Sequence, residues 1–192
     1  MQPIMTIDPG ANGGICVRIS AGRITCNKMP ASLSDKDMLI QGIKEAYRDI
    51  TCIIEDVGFH VAGSHAQGSA KLARNVGQLE GILMALDIPV SYVRPQKWMT
   101  IFPDRPKSLT SLEKIQRKAL YPSYSAKQLR KVIDDANAYR KRQRKAYIKA
   151  KVQAAYPDAK LHPNPAKPSR SYEVYPDWCA DALGILMWAE NE

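Results

Sequence analysis

The chain has 192 residues, 45% of them apolar and 24% charged, and a formal net charge of +9. That length suits one domain with its own core, and the apolar content is too high for a disordered protein. No run of about 18 apolar residues occurs, the stretch Ile82 to Val90 being broken by Asp87 and Pro89, so no membrane partner is expected. The first residues lack a basic leader with an apolar core, and a cytoplasmic protein is expected.

Met5 to Asp8 reads as a short buried strand closed by Pro9-Gly10. Gly14 to Ser20 and Arg23 to Lys28 are a predicted hairpin about the tight turn Ala21-Gly22. Ser34 with Asp37 resembles a helix start, after which Leu39, Ile43, Ala46, Tyr47 and Ile50 recur at helical spacing. Thr51 to Ile54 is a β-prone run ending at Glu55. Beyond a Gly/His/Ser loop, Leu72, Val76, Leu79, Leu83 and Leu86 form one apolar stripe of a helix, and Val90 to Val93 is a fifth strand. This is an α/β pattern. Two helical crossovers imply parallel strands and the hairpin adds antiparallel ones, which predicts a mixed five-stranded sheet flanked by helices.

Positions 103–144 read as a basic, mostly helical insertion within a single domain, 1–192, with Pro103, Pro106 and Pro122 as breaks. Leu109, Leu112, Ile115 and Ala119 suggest one amphipathic helix, and Gln128 to Ala155 one or two more. A Pro-rich loop (Pro157, Pro163, Pro165, Pro168, Pro176) precedes a final apolar helix from about Trp178 to Glu190. The cysteines Cys16, Cys26, Cys52 and Cys179 form no Cys-x-x-Cys pair and are read as buried thiols of a reducing compartment. With three dispersed histidines, any metal must be a hard ion held by oxygen.

The positive charge is concentrated. Between Pro103 and Lys151 stand fifteen Lys+Arg against four Asp+Glu, densest at Arg140, Lys141, Arg142, Arg144 and Lys145, with Lys149 following. A balanced charge run is usually a solvated helix face, but one-signed charge this dense repels itself, and a polyanion relieves that repulsion. A nucleic-acid partner is expected. Tyr121, Tyr124, Tyr139 and Tyr147 interleave with the run and are expected to pack against the domain.

The acidic residues at strand ends are the informative anomaly. Asp8 closes the first strand and Glu55 the fourth; if these strands lie side by side and parallel, both carboxyls emerge at one sheet end. Asp177 and Asp181, spaced i, i+4, share a helix face, where two like charges repel unless a cation sits between them. Each has a structural role available on its own: Asp177 follows Pro176 and suits a helix cap, and Asp-Pro-Gly at Asp8 suits a turn. Taken together, four carboxylates would make a site for two Mg²⁺ ions suited to in-line hydrolysis of a phosphodiester.

The motifs that carry these acids resemble the RuvC-type Holliday junction resolvases of the RNase H-like superfamily. They are Ile7-Asp8-Pro9-Gly10 with Gly13-Gly14; Ile53-Ile54-Glu55 followed by Ser69-Ala70-Lys71-Leu72 and Gly77-Gln78-Leu79-Glu80-Gly81; Arg94-Pro95-Gln96-Lys97-Trp98; and Asp177-Trp178-Cys179-Ala180-Asp181-Ala182-Leu183. The resemblance covers about 1–101 and 145–190. It implies a homodimer that places paired symmetric nicks in four-way DNA junctions with Mg²⁺ or Mn²⁺, two ions per site, held by Asp8, Glu55, Asp177 and Asp181. It implies phosphate contact by Lys97 and a matching lysine at Lys145, and no nucleotide cofactor. Phe59 lies one position off the aromatic that bacterial members insert at the junction centre. The short first Gly-rich turn and the i, i+4 acidic pair are similar to the phage and chloroplast-type branch. The protein would then reside in the DNA-containing compartment of its host cell. The 103–144 insertion has no counterpart in compact members and would widen the range of branched substrates.

Two other readings stay open: a catalytically inactive junction-binding protein, and a broader branched-DNA or RNA-processing nuclease of the same fold. An ATP-binding protein of the actin or sugar-kinase type would need a second such domain, and no Gly-x-x-x-x-Gly-Lys-[Ser/Thr] loop occurs.

Overall fold

A computed structural model describes residues 2–58, 66–162 and 175–192. Strands β1 (Ile4–Ile7), β2 (Gly14–Ser20), β3 (Arg23–Lys28), β4 (Thr51–Glu55), β5 (Val90–Val93) and β6 (Lys160–His162) form one sheet, ordered β5-β4-β1-β2-β3-β6. The five expected strands are present with the expected directions: β1, β2 and β3 are antiparallel neighbours, and β4 runs parallel to β1 and to β5. β6 is an addition to the expected five. It pairs parallel with Thr25–Asn27 inside the stretch read as a Pro-rich loop. Lys-Leu-His offers one apolar side chain, Leu161, and no alternation to read; tertiary pairing makes it a strand.

Among the described residues there are six α-helices: α1 (Leu33–Ala46), α2 (Ala66–Ala85), α3 (Pro95–Trp98), α4 (Ser111–Ala119), α5 (Ala126–Ala155) and α6 (Asp177–Ala189). α1 begins before the expected Ser34: Ser32 is its cap, and the Ser32 Oγ accepts from the Asp35 N–H at 3.0 Å. On one sheet face α1 and α2 enclose Met5, Ile7, Ile40, Ile54, Leu79 and Leu83. On the other, α5 and α6 pack with Trp98, Phe102, Ile148, Val152, Leu183 and Leu186.

α5 is one helix of 30 residues, about 45 Å long. It runs through position 144 without a break, so the basic segment and the turns that bury Ile148 and Val152 are a single rod. Reciprocal capping boxes start α4 (Thr110 with Glu113) and α5 (Ser125 with Gln128). α4 is tied to α5 by Arg140, whose guanidinium meets Glu113 at 2.6 Å. Of the expected apolar stripe only Leu109, just before α4, is buried; Leu112 and Ile115 on α4 are exposed. The tyrosines divide likewise. Tyr147 packs edge-on against Phe102, Tyr121 and Tyr124 stack on each other, and Tyr139 is exposed.

The cysteine expectation needs correcting. Cys16 and Cys26 face each other across the antiparallel β2–β3 pair and are joined as a disulfide, while Cys52 and Cys179 are buried free thiols. Ten residues separate Cys16 from Cys26, and only the hairpin register brings them opposite.

Trp98, fully buried, lies against α6 at Gly184, where a Cβ would stand 2.7 Å from the indole ring. Two effects oppose each other in Gly184→Ala. Helix propensity favours alanine by about 0.5–1 kcal/mol, whereas overpacking against a rigid ring costs about 1–3 kcal/mol. The clash should win, lowering the melting temperature by roughly 3–8 °C. Combined with Trp98→Phe, which frees space, the losses should be less than additive in urea or thermal unfolding. Full additivity, or no loss from Gly184→Ala, would rule out the close contact.

Candidate active site

β1 and β4 pair in parallel with Ile7 opposite Ile54, so Asp8 and Glu55 follow at the same sheet end. Asp8 sits in a tight turn: its Oδ1 accepts from the Gly10 N–H at 2.9 Å, and its own N–H donates to the Gly14 carbonyl at 3.0 Å. Gly13 closes that turn so tightly that a Cβ there would stand 2.6 Å from the Asp8 carboxyl carbon. Asp8 is therefore both a turn former and a carboxyl held at the sheet end.

Glu55 is buried, 8% exposed, and its Oε1 accepts from the Trp98 indole N–H at 2.8 Å. Asp181 is placed by α6. The Thr6 hydroxyl on β1 donates to the carbonyl of Ala182 at 2.8 Å, holding the adjacent turn over the strand. Burial is the main cause of a raised pKa at all three carboxyls: Glu55 is pushed up to about 7, Asp181 to about 6, and Asp8 moves in the same direction. Repulsion from Asp8 adds to the rise at both Glu55 and Asp181, and Asp181 acts on Glu55 as well. Lys145 lowers all three, and Arg144 lowers Asp181.

The fourth expected carboxylate stands apart. Asp177 is exposed and bound by Lys149 at 2.8 Å, which holds its pKa below the usual value. Lys145 and Lys149 thus face the acids of α6 from one side of α5. The remaining expected DNA contacts differ in kind. Lys97, on α3, pairs with Glu192 at 3.2 Å and lies over the Trp188 ring. Arg140 holds Glu113, whereas Lys141 and Arg142 are exposed on α5. Phe59 lies outside the described residues.

Among the described residues no three His, Cys, Asp or Glu side chains are already closed around a point where an ion could sit. The donor chemistry fits a hard divalent cation even so. Asp8, Glu55 and Asp181 offer only oxygen, share one neighbourhood, and carry a mutual repulsion that such an ion would relieve. Three residues have roles that the sequence did not indicate: Trp98, which orients Glu55; Thr6, which anchors α6; and Asn75, whose side-chain amide donates to the Pro9 carbonyl. A buried tryptophan normally needs an acceptor for its N–H, and that was the available signal for Trp98.

No protein-family model matches the sequence, and no curated protein is similar to it in sequence. Among solved structures, Thermus thermophilus RuvC in complex with a Holliday junction substrate matches with a TM-score of 0.51 at 12% identity. That match covers 98% of this chain and 92% of the other. A second Thermus thermophilus RuvC structure covers 97% and 92%, with a TM-score of 0.44 and 12% identity. The chain shares the RuvC fold, an α/β sheet of the RNase H-like type. Neither match reaches the level of a branch.

The raised carboxyls set a pH dependence. A group whose folded value lies above its unfolded one holds its proton more tightly when folded, so stability falls as pH rises between the two. For Glu55 that window runs from its ordinary 4.5 to about 7. In EDTA the melting temperature should therefore decline across it, by at most about 3 kcal/mol of stability from Glu55. Glu55→Gln keeps an acceptor for Trp98 and should flatten the decline. Parallel curves for wild type and variant would show that Glu55 titrates normally.

Proposed function

We propose that the chain is a divalent-metal-dependent endonuclease that resolves four-way DNA junctions by paired symmetric nicks, acting as a homodimer. The observation that carries this reading is the juxtaposition of Asp8, Glu55 and Asp181 at one sheet end with the one-signed face of α5. An acidic centre beside a dense basic helix suits a polyanion that is both held and hydrolysed. The shared fold supports the choice of substrate, since the similar Thermus thermophilus RuvC is seen with a Holliday junction.

Asp8, Glu55 and Asp181 would hold the ion or ions, Mg²⁺ or Mn²⁺, with Asp177 joining them on leaving Lys149. When bound, such ions supply an activated water and offset the charge of the phosphodiester. The protein's own groups do the positioning. Trp98 fixes one oxygen of Glu55, the Gly10 N–H fixes one oxygen of Asp8, and Thr6 sets the height of Asp181 above β1. Lys145 faces the acids and is the cation best placed to meet the scissile phosphate, while Lys141, Arg142 and Arg144 continue the grip along α5. Two copies are needed because each brings one such centre to a substrate cut twice.

A labelled four-way junction, with matched duplex and fork, should be nicked in pairs in Mg²⁺ and left intact in EDTA. Asp181→Asn should lower cleavage more than about 100-fold while leaving junction binding unchanged or tighter. Near-normal cleavage by the variant would refute the site. Tight binding with no cleavage by the wild type would make the chain a junction-binding protein, and equal cutting of the fork a broader branched-DNA nuclease.

A further inference from the structure

α2 separates two clefts of opposite character. One face lines a small cleft of about 130 Å³ beside Glu55, walled by Leu72, Ala73 and Val76 with Glu80 and Asp56. The opposite face, with α1 and the end of β3, lines a wider one of about 610 Å³. Among the described residues four cations line this second cleft, Lys28, Lys36, Lys71 and Arg74, and no carboxylate does. The charge distribution of the sequence hides it, because outside Pro103–Lys151 the acids slightly outnumber the bases.

Lys36 is the informative residue. It is 3% exposed, and its Nζ donates to the Gln78 Oε1 at 2.8 Å. Among the described residues it forms no ion pair. A lysine is almost never buried without an acidic partner, and an ammonium has three protons to place. The charged neighbour acting on it is Arg74, of the same sign, and burial with that repulsion lowers its pKa. An anion in the cleft would accept the unused N–H groups and offset both cations. The first turn of α1, at Ser32 and Leu33, borders the same space and adds the positive end of a helix dipole. Ala11, in the turn that follows Asp8, forms another wall, and Asn75 ties α2 to that turn through the Pro9 carbonyl. The cleft therefore begins where the acidic site ends.

We infer that the α1–α2 cleft binds the phosphate backbone of the DNA strand leaving the active site, with Lys36 and Arg74 as its phosphate contacts and Lys71 and Lys28 at its rim. This rests on the nuclease reading above for the identity of the strand. It adds a second grip to α5, reached from the other side of the Asp8 turn.

The test is anisotropy of the full chain in EDTA with a labelled four-way junction, a duplex and a single strand, between about 50 and 200 mM salt. Each phosphate contact removed should lower the log–log salt slope by about 0.9 on duplex and about 0.7 on single strand. Lys71→Gln with Arg74→Gln should lower it by up to about 2, whereas Arg23→Gln, at the far end of the sheet, should leave it unchanged. Lys36→Met keeps the buried stem, so the DNA-free protein should melt no lower than wild type while the slope falls by about 1. If Lys36 is merely structural, melting will shift and the slope will not, which overturns the assignment. Junction binding and cleavage intact with unchanged slopes in all cleft variants overturns the cleft and leaves the nuclease reading standing. Absence of junction preference and cleavage, with slopes still lowered in the variants, sinks the nuclease reading and keeps the cleft. Stabilisation by millimolar inorganic phosphate that is lost in Lys36→Met, with DNA slopes unchanged, would assign the cleft to a free anion and overturn the strand.

Discussion

Ile7 lies opposite Ile54 in the parallel pair of β1 and β4, and alternation then decides which face the next residue of each strand takes. Met5 and Ile7 point into the core under α1 and α2, while Ile4 packs toward the opposite core and Thr6 toward α6. Asp8 continues the second set. On β4, Cys52 and Ile54 belong to the first core and Ile53 packs with the second, so Glu55 also turns toward α6. A slip of one residue in either strand would send one carboxyl to the opposite face. Register and alternation thus bring two acids 47 positions apart to the one place where Asp181 of α6 can join them.

Three carboxyls gathered there repel one another, and the fold supplies only partial relief. The Trp98 and Gly10 N–H groups each bind one carboxyl oxygen, and Lys145, with Arg144 beside Asp181, offsets the negative charge only in part. The flanks are the inverse: α5 carries a run of cations on one side and the α1–α2 cleft carries four on the other. A phosphate backbone is attracted at the edges and repelled at the centre until a cation enters there. On the proposed nuclease reading, affinity and chemistry are therefore separated in space, and the centre would accept a phosphodiester only once its own charge is offset.

The sequence made the sheet legible because short apolar or β-prone runs, most of them bounded by Gly or Pro, mark the first five strands. It made Asp8 and Glu55 legible because an acid ending an apolar run has no place in a core. Other features depended on distant partners. β6 is a strand only because β3 offers it an edge, and the disulfide exists only because of the hairpin register. Asp177 and Asp181 share a helix face in sequence, yet Lys149 captures the exposed one while Asp181 turns toward Asp8. Lys36 was indistinguishable from any helical lysine, since its burial comes from α2 packing across it. Arg140 read as one of a run of free cations, but its bond to Glu113 needs α4 folded back on α5.

The unbroken length of α5 links these parts mechanically. Ile148 and Val152 root the helix in the core, and Lys141, Lys145 and Lys149 follow at four-residue spacing, close to one row. At the rooted end Lys149 meets Asp177; one turn earlier Lys145 faces the three carboxyls; one turn beyond, Lys141 is open to solvent. A helix capped at its start and packed at its end cannot shift one of these lysines without moving the others. The position of the exposed cations relative to the acids is thus set by core packing rather than by a flexible loop. A basic tail of the same composition would carry the same charge, but it would not fix where that charge stands relative to Asp8, Glu55 and Asp181.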